Sequence, residues 1–184
     1  MVYEKGIKGC YVDLKSAKVS DAEFTLSIRQ DKDFSRYLPR INNTLEQQRE
    51  WIRSQRKKTG DYFFVVWDKT EKQIGTISIY DMEGDFAEGG RLAIRGNALQ
   101  NIEAQLLLFR FGYDILGLKQ IVGYVYAENT RALRFAESFG SIIDPPKERN
   151  GRLECKITNT KENFVVYDKK LSALIYRQEH RKKK

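Results

Sequence analysis

A chain of 184 residues can bury a full core in one domain, and its two cysteines, Cys10 and Cys155, are too few for a disulfide framework. Its single histidine, His180, lies in a polar C-terminal stretch, which excludes Ser-His-Asp and Cys-His triads and leaves no ligand set for structural zinc; no glycine-rich loop ends in Gly-Lys-Ser/Thr. Of the net charge of +8, Arg177, Arg181, Lys182, Lys183 and Lys184 against Glu179 supply +4, so half of the case for a nucleic-acid partner rests on a basic tail, and such a partner is not expected.

In chain order, Gly9 to Leu14 is expected to form a first strand. Ser20-Asp21-Ala22-Glu23 has the spacing of a capping box and opens a short helix that ends near Gln30. After a polar bend from Asp31 to Ile41, Thr44 and Gln47 repeat the capping spacing, and Leu45, Gln48, Trp51 and Ile52 mark the inner face of a second helix closed by Gly60. Tyr62 to Asp68 and Gln73 to Asp81 read as a hairpin around Lys69–Lys72, and a third strand runs from about Phe86 to Arg95. A loop, Gly96 to Asn101, leads into a strongly apolar helix with Ile102, Leu106, Phe109, Tyr113 and Leu116 on one stripe, stopped by Gly117. Gln120 to Ala127 is the next strand, Asn129 caps a helix through Phe139, Pro145-Pro146 breaks the chain, and strands near Arg152 to Thr158 and Asn163 to Asp168 complete the sheet.

Strand, helix and strand from Phe86 to Ala127 make a βαβ unit, so two strands should run parallel within a mixed α/β (α+β) domain spanning 1–176, followed by a flexible basic tail over 177–184. The densest apolar run, Phe63 to Trp67, is too short to cross a bilayer, and Met1 to Gly6 has no signal-peptide pattern, so the cytoplasm is the expected location and no membrane partner is expected. Ligands favour the crevice at the carboxyl ends of parallel strands. Here that crevice is bordered by Arg95–Ala104, a helix N-terminus able to attract phosphate, and by Glu128-Asn129.

The segment Tyr124-Val125-Tyr126-Ala127-Glu128-Asn129-Thr130-Arg131-Ala132 through Gly140 resembles the strand-Asn-x-x-Ala/Ser segment of the GNAT N-acetyltransferase superfamily, and the element order is similar to that family over nearly the whole chain. Ser27-Ile28-Arg29-Gln30-Asp31 through Tyr37-Leu38 resembles the branch of ribosomal-protein and amino-sugar acetyltransferases. The resemblance implies a GNAT-type, mostly antiparallel sheet with one parallel pair, and acetyl-CoA as co-substrate without a metal. It implies coenzyme A contacts from Ala93, Ile94 and Arg95, from Leu99-Gln100-Asn101-Ile102-Glu103-Ala104, and from Asn129 and Ala132. Of the family's Gln/Arg-x-x-Gly-x-Gly/Ala loop only Ala104 agrees; Ile102 stands for a glycine and Glu103 adds a like charge beside phosphate.

Acetyl transfer to an amine asks for a base, a hydrogen-bond donor to the thioester oxygen and an acid for the thiolate. The resemblance places the donors at the Ala93 and Ile94 amides; Glu88, early on that strand, is the candidate base. The family's usual tyrosine acid falls on Ala136, so Tyr126, with Tyr124 beside it, is the substitute. Arg29 and Arg36, with Arg40, are expected to bind a phosphate-bearing acceptor, an amino sugar linked to a nucleotide. A protein N-terminal acetyltransferase and a catalytically silent binding module stay open as alternatives, as does a homodimer.

Overall fold

Tyr62-Phe63-Phe64-Val65-Val66 is buried at every position, the pattern of a strand covered on both faces, and it sits inside the sheet. The computed structural model describes the backbone of residues 1–32, 34 and 36–182, and the side chains of these residues up to 177. The strands are β1 (Ile7–Lys8), β2 (Val12–Ser16), β3 (Tyr62–Asp68), β4 (Gln73–Glu83), β5 (Phe86–Ile94), β6 (Gln120–Tyr126), β7 (Ile142–Ile143), β8 (Lys147–Arg149) and β9 (Arg152–Thr160). They form one sheet in the order β1-β2-β3-β4-β5-β6-β9-β7, with β8 also on β9. Every pairing is antiparallel except β5 with β6, so the expected mixed α/β architecture with one parallel βαβ unit is the one observed.

Helices cover both faces: α1 (Ala22–Gln30) and α2 (Leu45–Lys57) on one, α3 (Ala98–Arg110) and α5 (Lys161–Lys182) on the other, with α4 (Thr130–Glu137) beyond β6. The larger core lies under α3, where Phe111 meets Tyr3, Tyr62 and Phe64 edge to face at ring distances of 4.9 to 5.3 Å. A π-helical turn, Phe111–Ile115, follows α3, and Gly117 at φ +73° ends it. On the opposite face Ala17, Phe63 and Val65 pack with Trp51 and Phe24.

Three expectations change. Ser20 is not the cap of α1: a 3-10 turn over Val19–Asp21 precedes the helix, and the Asp21 carboxylate accepts from the Lys18 amide at 2.7 Å and from Gln73 Nε2 at 2.7 Å. Gly96 to Asn101 is not one loop, because Asn97 and Gln100 form a reciprocal cap that starts α3 at Ala98. Asn163 to Asp168 is not a strand but the first turns of α5, whose Phe164, Leu171 and Ile175 are buried at helical spacing, with Phe164 5.3 Å from the ring of Phe109. The last two strands in the chain, β8 and β9, form a hairpin turned by Asn150 and Gly151 at φ +52° and +74°. The backbone of α5 also continues past 176 to Lys182; the side chains of 178–182 and all of 183–184, and with them most of the expected basic tail, lie outside the described residues.

Candidate active site

Strands β5 and β6 pair only over Phe86–Glu88 and Gln120–Val122, and then diverge. Two features open the wedge. Between Ser78–Gly90 and Thr76–Ala93 the β4–β5 register slips at Arg91, a non-glycine residue at φ +50°, and Thr76 Oγ1 fixes the bulge by donating to the Arg91 carbonyl at 2.8 Å. The Arg91 guanidinium is held bidentate by Asp61 at 2.7 and 3.0 Å, with the Asp61 side chain only 2% exposed, and it lies 4.2 Å over the Tyr80 ring.

Beyond the bulge Arg95 N–H donates to Ile74 O at 2.7 Å. Alternation along an extended strand therefore sends the Ala93 amide toward β4 as well, and turns those of Leu92 and Ile94 toward the opening. Of the two expected donors, the Ile94 amide is the one turned toward the opening and the Ala93 amide the one turned toward β4; both residues line the trough.

Three hollows meet at the wedge. An open trough of about 840 Å³ is bordered by Ala93, Ile94, Arg95, Asn101, Ile102, Asn129 and Ala132, together with Arg131, Arg134 and Phe135. A cleft of about 180 Å³ between the diverging strands shares Leu92, Asn129 and Ala132 with it. Through Tyr126 and Leu38 that cleft runs on into a second trough of about 820 Å³ that carries Arg29, Lys32, Arg36, Arg40 and Arg152.

Asn129 Oδ1 accepts from the Ala132 amide at 3.2 Å and caps α4, as expected. At α3, the Gln100 amide is taken by Asn97 Oδ1 at 3.1 Å and the Asn101 amide by the Asn97 carbonyl at 3.0 Å, which leaves Ala98 and Leu99 as the outward pair. The amides of Ile102, Glu103 and Ala104 lie inside the helical ladder. The side chains of Glu103 and Ala104 also leave the trough. Ala104 is buried in the core, and the Glu103 carboxylate accepts from the amides of Cys10, Tyr11 and Val12 at 2.6 to 2.8 Å. Gly9 gives it room, since a Cβ there would stand 2.6 Å from that carboxylate. The like charge expected beside phosphate is thus spent elsewhere.

Arg95 lines the trough, its Nη2 pairs with Asp31 at 2.5 Å, and its guanidinium lies 5.2 Å from the Phe34 ring centroid, so part of its charge is already balanced. Glu88 lies outside the lining of all three hollows; it accepts a hydrogen bond from Tyr80, directly across the β4–β5 ladder. Burial, then the hydrogen bond and charge of Glu88, hold the Tyr80 phenol far above its ordinary value of 10.0. Tyr126 lines both the cleft and the basic trough, with Arg152 4.8 Å from its ring; Tyr124, also on the cleft, is stacked by Arg149 at 3.6 Å. Sequence reasoning missed Arg91, Asn97, Arg134 and Arg152. Asn97 with Gln100 had a readable capping spacing, whereas Arg91 and Arg152 become neighbours of the site only through strand pairing. Among the described residues no cluster of three His, Cys, Asp or Glu could hold a metal, and no helix is long and apolar enough to cross a membrane.

The family model described as "Acetyltransferase (GNAT) domain" matches residues 12–142. Comparison with curated proteins yields no match. Among solved structures, "Apo FdhC- a nucleotide-linked sugar GNAT" is similar at TM-score 0.80 and 18% identity, over 94% of this chain and 98% of that one. A GCN5-related N-acetyltransferase from Brucella melitensis gives TM-score 0.78 and 19% identity over 94% and 86%, and a spermidine N-acetyltransferase from Vibrio cholerae in complex with CoA and spermine gives 0.76 and 17% over 84% and 98%. The family model spans more than half of the sequence, from β2 through the wedge and α4, and the chain belongs to the GNAT acetyltransferase family.

Proposed function

We propose that this chain transfers the acetyl group of acetyl-CoA to the primary amine of a small molecule in the cytoplasm, and that the amine belongs to an amino sugar linked to a nucleotide. The trough residues fit an extended anionic co-substrate. Arg95, Arg131 and Arg134 supply positive charge, Ala98 and Leu99 offer outward amides at a helix N-terminus, and Leu92 and Phe135 give an apolar wall. Acetyl-CoA supplies the activated acetyl thioester. The Leu92 and Ile94 amides would hold its carbonyl oxygen as negative charge grows there. Glu88 would take the amine proton through an intervening water, because its carboxylate lies off the cleft lining, and Tyr126 would give a proton to the departing sulfur.

The observation that carries the acceptor reading is the basic trough. It joins the cleft through Tyr126, and five cationic side chains but no Asp or Glu line it among the described residues. The test is a competition assay offering nucleotide-linked amino sugars, free polyamines and short peptides with free N-termini. Preferred turnover of a sugar nucleotide is the expected result. Turnover of peptides alone would replace this reading with protein N-terminal acetylation, and CoA binding without turnover of any amine would indicate a silent binding module.

A further inference from the structure

Arg29, in the last turn of α1, lies where the basic trough meets an inner hollow of about 230 Å³ beneath α1 and α2, and it lines both. Its Nη2 donates to the Pro39 carbonyl at 2.7 Å, but its Nε is buried without a hydrogen-bond partner. Among the described residues no carboxylate lines either hollow. The other guanidinium facing the inner hollow, Arg91, is already satisfied by Asp61. Desolvation first, and then the Arg91 charge, lower the Arg29 pKa from its ordinary value. A buried donor left unmade, beside a like charge, is a cost that folding alone does not explain. Three other polar side chains of the hollow are engaged with one another, Gln48 Nε2 donating to Thr25 Oγ1 at 3.1 Å and Asn43 Nδ2 to Gln48 Oε1 at 3.4 Å, and Thr76 Oγ1 donates to the Arg91 carbonyl.

We infer that Arg29 selects the acceptor by charge: an acid group on the acceptor, phosphate or carboxylate, completes the Arg29 guanidinium at this junction, and polycationic amines are turned away. The inference rests on the acetyltransferase reading above and adds which side chain discriminates and on what chemistry. A planar fork with one buried open donor suits an oxyanion, whereas a polyamine would add positive charge where, among the described residues, no carboxylate lines the hollow.

The test begins with the full chain saturated with CoA, so that the co-substrate trough is filled before any probe is added. Inorganic pyrophosphate, succinate and spermine are then titrated by calorimetry and thermal melting into wild type, Arg29→Met and Arg29→Lys. Wild type should bind pyrophosphate or succinate, whichever acid it takes, and not spermine. Arg29→Met should bind that acid at least tenfold more weakly while binding CoA as wild type does. Arg29→Lys, which keeps the charge but loses the fork, should fall between them. Without ligand Arg29→Met should melt no lower than wild type, since the change removes an uncompensated charge. Equal acid binding by wild type and Arg29→Met would overturn the inference, as would spermine binding as tight as that of the acids. If Arg29→Met fails to fold, undiminished acid binding by Arg29→Lys decides against it in the same way. Failure of CoA itself to bind would instead overturn the acetyltransferase reading, so the two failures are distinct.

Discussion

At the scale of single residues, two glutamates have opposite assignments. Glu103 is 4% exposed and holds three consecutive amides, so it anchors the turn between β1 and β2 to the first turns of α3. Glu103→Ala would strand those donors in the interior and should cost about 3 kcal/mol or more. A urea unfolding midpoint checks this, and CoA affinity of the folded variant should stay near that of wild type. Glu88 is half-buried and carries one hydrogen bond, from a tyrosine that stays protonated through neutral pH. Glu88→Gln keeps its shape and should lower kcat by about a hundredfold with little change in the unfolding midpoint. Wild-type turnover across the pH range in which the amine titrates would return Glu88 to a structural role.

At the scale of elements, the βαβ unit, both early helices, the β3–β4 hairpin and the Asn129 cap were legible because each has a local cause: a period, a capping pair or a turn. The misreadings have causes too. Phe164-Val165-Val166-Tyr167 looks like a strand by side-chain type, but burial of Phe164, Leu171 and Ile175 against α3 overrides that preference. Asn150-Gly151 was a readable hairpin turn, overshadowed by the preceding prolines. The wedge itself was not readable, because it depends on Arg91 reaching Asp61 thirty residues back in sequence. Asp61→Asn leaves the Arg91 charge without its partner in a buried setting, and should destabilise by about 3–5 kcal/mol. Chemical denaturation measures that loss; a change under 1 kcal/mol would mean that the bulge does not depend on the pair.

At the scale of the whole molecule, the cleft at the wedge between β5 and β6 joins two troughs, one through Leu92, Asn129 and Ala132 and the other through Leu38 and Tyr126, and on the proposed function acetyl-CoA would fill the first and the amine the second. Positive charge lines both troughs while the Glu103 carboxylate is turned away from them, an arrangement that supports the proposed pairing of two phosphate-bearing molecules. The departure at Ile102 leaves the trough beside α3 open: Ile102 forms part of its wall, and the outward amides stand one turn earlier, at Ala98 and Leu99. The most direct test is a thermal melt with acetyl-CoA, backed by calorimetry and by Ala132→Trp, which would fill the trough beside Asn129. At a hundredfold excess over its dissociation constant, acetyl-CoA should stabilise wild type by about 2.7 kcal/mol, and Ala132→Trp should lose that shift while folding normally. No shift at millimolar acetyl-CoA, together with a null calorimetric titration, would contradict the account.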